Sequence, residues 1–297
     1  MRIRNAFHTL GLLAGAGAAW GLFEAQWVQH VRREIVVPDL PRALDGLRIG
    51  HLSDLHMGSP SLNARALARA VDFLGEAGAD LVAISGDVRS RVAGDAALRR
   101  ELRRLAPPLG AYAVLGNHDY GEGEDPFAEG TPVRDLSDCG VVLLENARAE
   151  IPHGGATIVV AGMSPQTFVR DRRADGHDLA AAGGDLRILL CHYPDVFDRV
   201  RPGDFQLVLA GHLHGGQICI PWPTGKIRLA HLTREYLEGV YARNGTSMHV
   251  SRGVGTTFVP FRLLARPEAT VLTLRRVGGG TAGRPPSHEP SDTRLDA

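Results

Sequence analysis

Between Leu47 and Ser251 the chain lays down eight short, continuous apolar runs: Leu47–Ser53, Leu81–Ser85, Ala111–Leu115, Val141–Leu144, Thr157–Ala161, Leu186–Cys191, Phe205–Ala210 and Met248–Ser251. Runs this short and this uniformly apolar suit strands buried on both faces, since a half-exposed strand alternates and a helix needs a longer periodic segment. Between the first two runs Leu62, Ala66, Leu67, Ala70, Val71 and Leu74 recur at helical spacing, with Ser61 or Asn63 as cap and Gly78 as stop. Leu98 to Leu105 reads as a second helix, ended by Pro107-Pro108. Strand, helix, strand, helix, strand is the order of a layered α/β domain, and the closer spacing of the later runs implies a second sheet. With 44% hydrophobic residues among 297, the chain can fill such a core. The domain spans residues 45–276, and the Gly- and Pro-rich stretch 277–297 has the composition of a disordered tail.

Residues 1–33 form a different segment. Arg2 and Arg4 precede an uncharged run from Thr9 to Phe23, and Glu24, Arg32 and Arg33 follow it. The run is shorter than the roughly 20 residues of a spanning helix, but Trp20 and Trp27 at a membrane interface would lengthen it. Small residues resembling a cleavage site lie inside the run and not after it, so the segment is expected to be an uncleaved membrane anchor. The competing expectation is a buried N-terminal helix. Cys139, Cys191 and Cys219 are too few and too irregularly spaced for a disulfide framework or thiolate zinc site, and read as small buried hydrophobes. With 33 basic and 33 acidic residues, net charge is zero, which disfavours a nucleic-acid partner.

Five of the apolar runs end alike, in a cluster of potential metal ligands: Asp54-Leu55-His56, Gly86-Asp87, Gly116-Asn117-His118-Asp119, Cys191-His192 and Gly211-His212-Leu213-His214. In open α/β sheets ligands bind beyond the carboxyl ends of the strands, so clusters far apart in sequence converge there. The adjacent glycines permit the tight turns that swing a side chain over the sheet edge. Asp54, His56, Asp87, Asn117, His192, His212 and His214 supply carboxylate, imidazole and amide donors without thiolate. That set fits Mn, Fe or Zn in a site unlike a cysteine-based structural zinc. Seven donors exceed one tetrahedral site and match two divalent ions sharing Asp87. Ions about 3.5–4 Å apart can hold a hydroxide between them and neutralise phosphoryl oxygens, so phosphate-ester hydrolysis is the expected reaction. Asp-x-His or Gly-Asp alone is frequent by chance; all five clusters in order, each after an apolar run, are not.

On these motifs the chain resembles the calcineurin-like metallophosphoesterases over about residues 45–275. Gly211 to Gln217 and Ser251 to Thr257 resemble the subgroup with an N-terminal membrane segment. The resemblance implies a four-layer α/β/β/α sandwich, with Asp54, His56, Asp87 and His214 on one metal and Asp87, Asn117, His192 and His212 on the other. It implies His118 near the leaving oxygen, as general acid or electrostatic stabiliser. One position departs from many relatives: Gly86-Asp87-Val88-Arg89-Ser90 puts Ser90 where a second carboxylate would orient that histidine. Asp119 is the expected partial substitute, and Arg91 the candidate contact to substrate phosphate. Without the carboxylate, diesters and activated leaving groups are expected to react better than alkoxides that need protonation.

The expected substrate is a phosphodiester or pyrophosphate met at the membrane, a lipid or nucleotide-sugar in chemistry, with UDP-2,3-diacylglucosamine of lipid A synthesis as the alternative. The domain is expected on the extracytoplasmic side, whereas the lipid A reading requires the cytoplasmic one. A catalytically silent metal-binding protein would show a damaged ligand set, and this set is complete. Trp222 could wall the pocket. His51, His153, His177, His231 and His249 have no expected metal role.

Overall fold

The computed structural model describes residues 15–121, 128–129, 131–180, 183–223, 225–230 and 234–277. Fourteen strands build it: β1 (Gln29–Val37), β2 (Arg48–Leu52), β3 (Leu81–Ser85), β4 (Ala111–Val114), β5 (Val141–Leu143), β6 (Ala147–His153), β7 (Ala156–Met163), β8 (Leu186–Cys191), β9 (Leu207–Ala210), β10 (Cys219–Trp222), β11 (Gly225–Arg228), β12 (Gly239–Arg243), β13 (Thr246–Val250) and β14 (Glu268–Arg276). The helices are α1 (15–24, as far as described), α2 (Asn63–Glu76), α3 (Asp95–Leu102), α4 (Pro165–Arg170) and α5 (His177–Ala180).

Two six-stranded sheets face each other, in the orders β1-β14-β2-β3-β4-β5 and β12-β13-β9-β8-β7-β6, and β10 and β11 form a separate hairpin. The uniform apolarity of the runs is explained by this stacking, because alternate residues of one strand serve different layers. In β3, Leu81 and Ala83 enter the core between the sheets, which also holds Ile49, Ile188, Leu190 and Leu209. Val82 and Ile84 point the other way, under Leu67, Val71 and Leu74 of α2 and Leu98 and Leu102 of α3. In β8, Leu189 and Cys191 face an outer layer containing Phe168 of α4 and Ala180 of α5. Each fully buried Leu or Ile contributes about 1.5–3 kcal/mol. The result is the four-layer α/β/β/α arrangement. All three cysteines are free and buried.

Some local expectations are corrected. Neither Ser61 nor Asn63 caps α2: its N-cap is Leu62, without a side-chain bond. The Asn63 amide instead donates to His56 O (2.9 Å) and its Oδ1 accepts from Thr256 N–H (3.2 Å), tying the helix start to two loops beside the site. Helix α3 starts three residues before Leu98 and ends at Leu102, with Asp95 accepting from Arg89 and Arg99 in its first turn. Residues 29–33, read as the end of the N-terminal segment, begin β1, which pairs in parallel with β14.

Helix α1 lies against residues 261–265. The Arg262 N–H donates to Gly21 O (3.1 Å), and buried Glu24 accepts from the Ala265 N–H (3.0 Å) and Trp20 Nε1 (3.1 Å). Trp20, Leu22, Phe23 and Trp27 stay exposed, their three aromatic rings in a ladder with centroids 5.6 and 5.5 Å apart. Among the described residues no helix is long and apolar enough to cross a membrane. The first part of the uncharged run, with Arg2 and Arg4, lies outside the described residues, as does the tail from 278 onward.

Candidate metal centre

The strands β2, β3, β4, β8 and β9 end at one edge of the two facing sheets, and the chain turns sharply after each. Asp54 (φ 52°), His56 (45°), Asp87 (51°), His212 (78°) and His214 (50°) all sit in the left-handed region. Such backbone costs non-glycine residues about 1–3 kcal/mol each, so it persists only where the surroundings enforce it, and it gathers at functional sites. The neighbouring glycines have different tasks. Gly86 takes a left-handed turn itself (φ 104°), while Gly211 is there for room: a Cβ on it would strike the side chains of Ser53 and Asp54.

These turns bring the predicted side chains together. His214 Nε2 lies 3.3 Å from Asp54 Oδ1 and 3.1 Å from His56 Nε2. Asp87 Oδ2 stands 3.2 Å from His192 Nε2, 3.5 Å from His56 Nε2 and 4.0 Å from His118 Nε2. Asn117 Oδ1 is 3.1 Å from His192 Nε2. His212 enters through its backbone N–H, which donates to both Asp54 oxygens at 3.1 Å, and its ring stands edge-on to those of His192 and Tyr193. Two groups have a spacing that can hold an ion: Asp54, His56 and His214, and Asp54, Asp87 and His192. Asp54 therefore belongs to both groups, while Asp87 bridges the imidazoles of His56 and His192.

Charge at this edge favours cations. Burial opposes ionisation of Asp87, yet the surrounding imidazoles, His192 first, hold its carboxyl well below the usual range. Burial lowers His56 to about 3, so its ring is neutral and one of its nitrogens carries a lone pair that can ligate. Burial also disfavours the charged form of His192, but the Asp87 carboxylate outweighs it and raises that pKa to about 9. The field that draws a proton to His192 draws a divalent cation too. Asp87 Oδ2 is buried without a hydrogen bond, though imidazole nitrogens crowd it. A carboxylate oxygen so placed, among oxygen and nitrogen donors and no thiolate, fits the divalent ions expected from the sequence.

One expected partnership is corrected, and Ser90 takes a place that the sequence did not assign it. The Asp119 carboxylate does not turn to the His118 ring; it accepts the backbone N–H groups of Val88 (3.2 Å), Arg89 (3.0 Å) and Gly116 (2.8 Å). It thereby clamps the loop of Asp87 to the loop of Asn117. Burial, then the Asp87 charge, raises its pKa to about 7. Ser90 serves His56: its Oγ lies 3.1 Å from His56 Nδ1 and accepts from Ser59 Oγ at 3.0 Å. The contact fixes the ring with Nε2 toward the cluster, as partners of metal-ligating histidines do. Consequently S90D is expected to tighten Mn²⁺ binding, seen in a metal titration, and to leave alkyl phosphate rates unchanged. A selective gain on alkyl phosphates would put residue 90 back in contact with His118. Arg91 is half-buried on the turn after Ser90, its N–H on Met57 O (3.2 Å). Trp222 is exposed on the β10–β11 hairpin.

Sequence reasoning missed the support behind these groups. His192 Nδ1 donates to Ser85 O (2.8 Å), which aims its Nε2 at Asp87. Ser85 Oγ in turn meets His51 Nε2 (2.9 Å), and His51 Nδ1 meets His249 Nδ1 (2.8 Å), so a buried polar chain joins the two sheets. His249 leads on to buried Glu268 (3.3 Å) and through it to Arg252 (2.7 Å). Arg262, buried against His214, was missed as well.

The sequence model of the calcineurin-like phosphoesterases matches residues 47–216. YkoQ and YkuE, two uncharacterised metallophosphoesterases of Bacillus subtilis (strain 168), are similar. YkoQ is 28% identical, covering 75% of this chain and 82% of its own. YkuE is 29% identical, covering 89% and 92%. A protein of Danio rerio described as a transmembrane protein with metallophosphoesterase domain is 33% identical over 87% of this chain, which spans 60% of its length.

Proposed function

The chain belongs to the calcineurin-like phosphoesterase family and is a metal-dependent phosphoric ester hydrolase, and we propose that it cleaves phosphodiester or pyrophosphate bonds at a membrane, using two divalent ions. Asp54, His56, Asp87 and His214 would hold one ion, and Asp87, Asn117, His192 and His212 the other. When bound, such ions lower the pKa of water and neutralise charge on the phosphoryl oxygens. The observation that carries this reading is the buried Asp87 Oδ2, without a hydrogen bond, between the Nε2 atoms of His56 and His192.

The other residues follow from their positions. His118, with Nε2 4.0 Å from Asp87 Oδ2 and its ring edge toward Phe258, would meet the leaving oxygen. The Asp119 carboxylate is held by backbone N–H groups, so Asp119 itself does not orient His118, and a good leaving group needs less protonation from that ring. That favours diesters and pyrophosphates over alkyl monoesters. The membrane clause is supported by the exposed ladder Trp20, Phe23 and Trp27, which continues the uncharged run, and by Arg266, whose guanidinium stacks 3.8 Å over Trp27. Aromatic residues beside arginine are typical of the membrane–water interface.

The test is hydrolysis of bis-p-nitrophenyl phosphate against p-nitrophenyl phosphate by the full chain with Mn²⁺, with and without vesicles containing phosphatidylglycerol. The diester is expected to react faster, N117A to lose about 10²-fold, and the protein to sediment with the vesicles. Undiminished N117A activity would overturn the ligand assignment. A faster monoester would overturn the substrate class, and failure to sediment would remove the membrane clause.

A further inference from the structure

Arg262 heads the largest fully buried side chains among the described residues. Taking a guanidinium out of water costs several kcal/mol, so its donors have to be used well. They are: Nε donates to Gly255 O (3.1 Å), and Nη1 to His214 O (3.3 Å) and Ala265 O (2.9 Å). Nη2 reaches the carbonyls of Arg252 (2.9 Å), Gly253 (3.2 Å) and Gly255, and lies 3.2 Å from His214 Nδ1. Five N–H groups thus serve six acceptors on three stretches of chain.

Two of those stretches matter for the metal centre. Residues 252–255 form the wall behind Asp54: the Val254 N–H donates to Ser53 O (2.9 Å) and the Gly255 N–H to Asp54 O (2.7 Å). A Cβ on Gly253 would lie 2.6 Å from Asp54 Cβ, so this wall sets where the carboxylate stands. The second stretch is the His214 turn, held by both its carbonyl and its ring. Apart from the bond to Ala265 O, the side-chain bonds of Arg262 go to these two stretches. Asp87, Asn117 and His192 have further supports of their own, in the His118 N–H, each other and Ser85 O, and the Asp87 loop accepts the Asp54 and His56 N–H groups on Gly86 O and Asp87 O (both 2.9 Å).

We propose that Arg262 is a positioning residue for one of the two ions: it fixes Asp54 and His214 relative to each other, and it reaches the ion at Asp87, Asn117 and His192 only at second hand, through Asp54 and the His212 N–H that the Asp54 carboxylate accepts. The proposal rests on the two-ion reading above. Lysine cannot replace it, because an ammonium has three donors on one atom and cannot span both stretches. Burial disfavours the charged guanidinium, and the carboxylates of Asp54, Glu24 and Glu268 oppose that.

The experiment counts Mn²⁺ bound by metal-free wild type, R262K and R262M in equilibrium dialysis, alongside melting curves without metal. R262M replaces the cation with an apolar side chain, in case a buried ammonium prevents folding. Both variants are expected to fold and to lose about 10–100-fold in affinity for one ion, with a clearly smaller loss for the other; equal losses for both ions would overturn the assignment of Arg262 to one of them. The double variant R262K/N117A is expected to bind neither tightly. Unchanged affinity for both ions in a folded variant overturns the proposal. So does failure of both variants to fold, since Arg262 would then hold the fold and not the ion. Wild type binding a single ion would sink the two-ion reading instead, and Arg262 would then be judged on that ion: unchanged affinity in R262K refutes it.

Discussion

D87N should lower Mn²⁺-supported hydrolysis of bis-p-nitrophenyl phosphate by at least about 10²–10³-fold, the scale on which single electrostatic groups act in active sites. The substitution is informative because it changes little else. Asparagine, like aspartate, tolerates the left-handed backbone at φ 51°. Its amide oxygen can still accept the His118 N–H that now donates to Asp87 Oδ1 at 2.9 Å. What disappears is the negative charge between His56 and His192, and with it the raised pKa of His192. The prediction is checked by steady-state rates at saturating Mn²⁺ together with the number of ions bound. Activity within a few-fold of wild type would take Asp87 out of the centre, whatever the family of the chain.

The residues of the site were legible in the sequence because the chemistry restricts residue type and the fold restricts place. Carboxylates and imidazoles must follow strands whose two faces are both buried, and such strands are uniformly apolar. For the same reason β3 and β8 have the bounds read from the sequence. Edge and mixed strands carry no such mark. β1 is mostly exposed, and β14, second from the edge of its sheet, places Glu268, Arg275 and Arg276 at its ends and Thr270 and Thr273 between them. Orientation was illegible too. Ser90 and Asp119 were both noticed, but left-handed turns at Asp87 and His56 deliver Ser90 to the His56 ring and leave Asp119 facing backbone. Arg262 left no signal, since an arginine in a loop reads as solvated until its acceptors are seen.

The close approach of the loops is itself open to test at Gly116. Its backbone is not in the left-handed region, so alanine meets no conformational penalty there and any cost is steric. A Cβ would fall on the Asp87 carboxylate, 2.7 Å from its Cγ and 2.5 Å from the Asp87 backbone nitrogen. Neither neighbour can give way, because Asp87 is tied to the His118 N–H while Asp119 holds Gly116 and Val88 together. G116A is therefore expected to destabilise the metal-free protein by about 3 kcal/mol, the upper range for overpacking, and to weaken Mn²⁺ binding at the Asp87 side. G75A is the matched control: it lies in α2 with nothing within 4 Å of its added carbon, and should stabilise by about 0.5–1 kcal/mol through helix propensity. Urea unfolding of the two variants beside wild type gives both numbers. If G116A unfolds with the wild-type midpoint and binds Mn²⁺ normally, the loops carrying Asp87 and Asn117 have room between them, and the close-packed metal centre argued from their contacts is wrong.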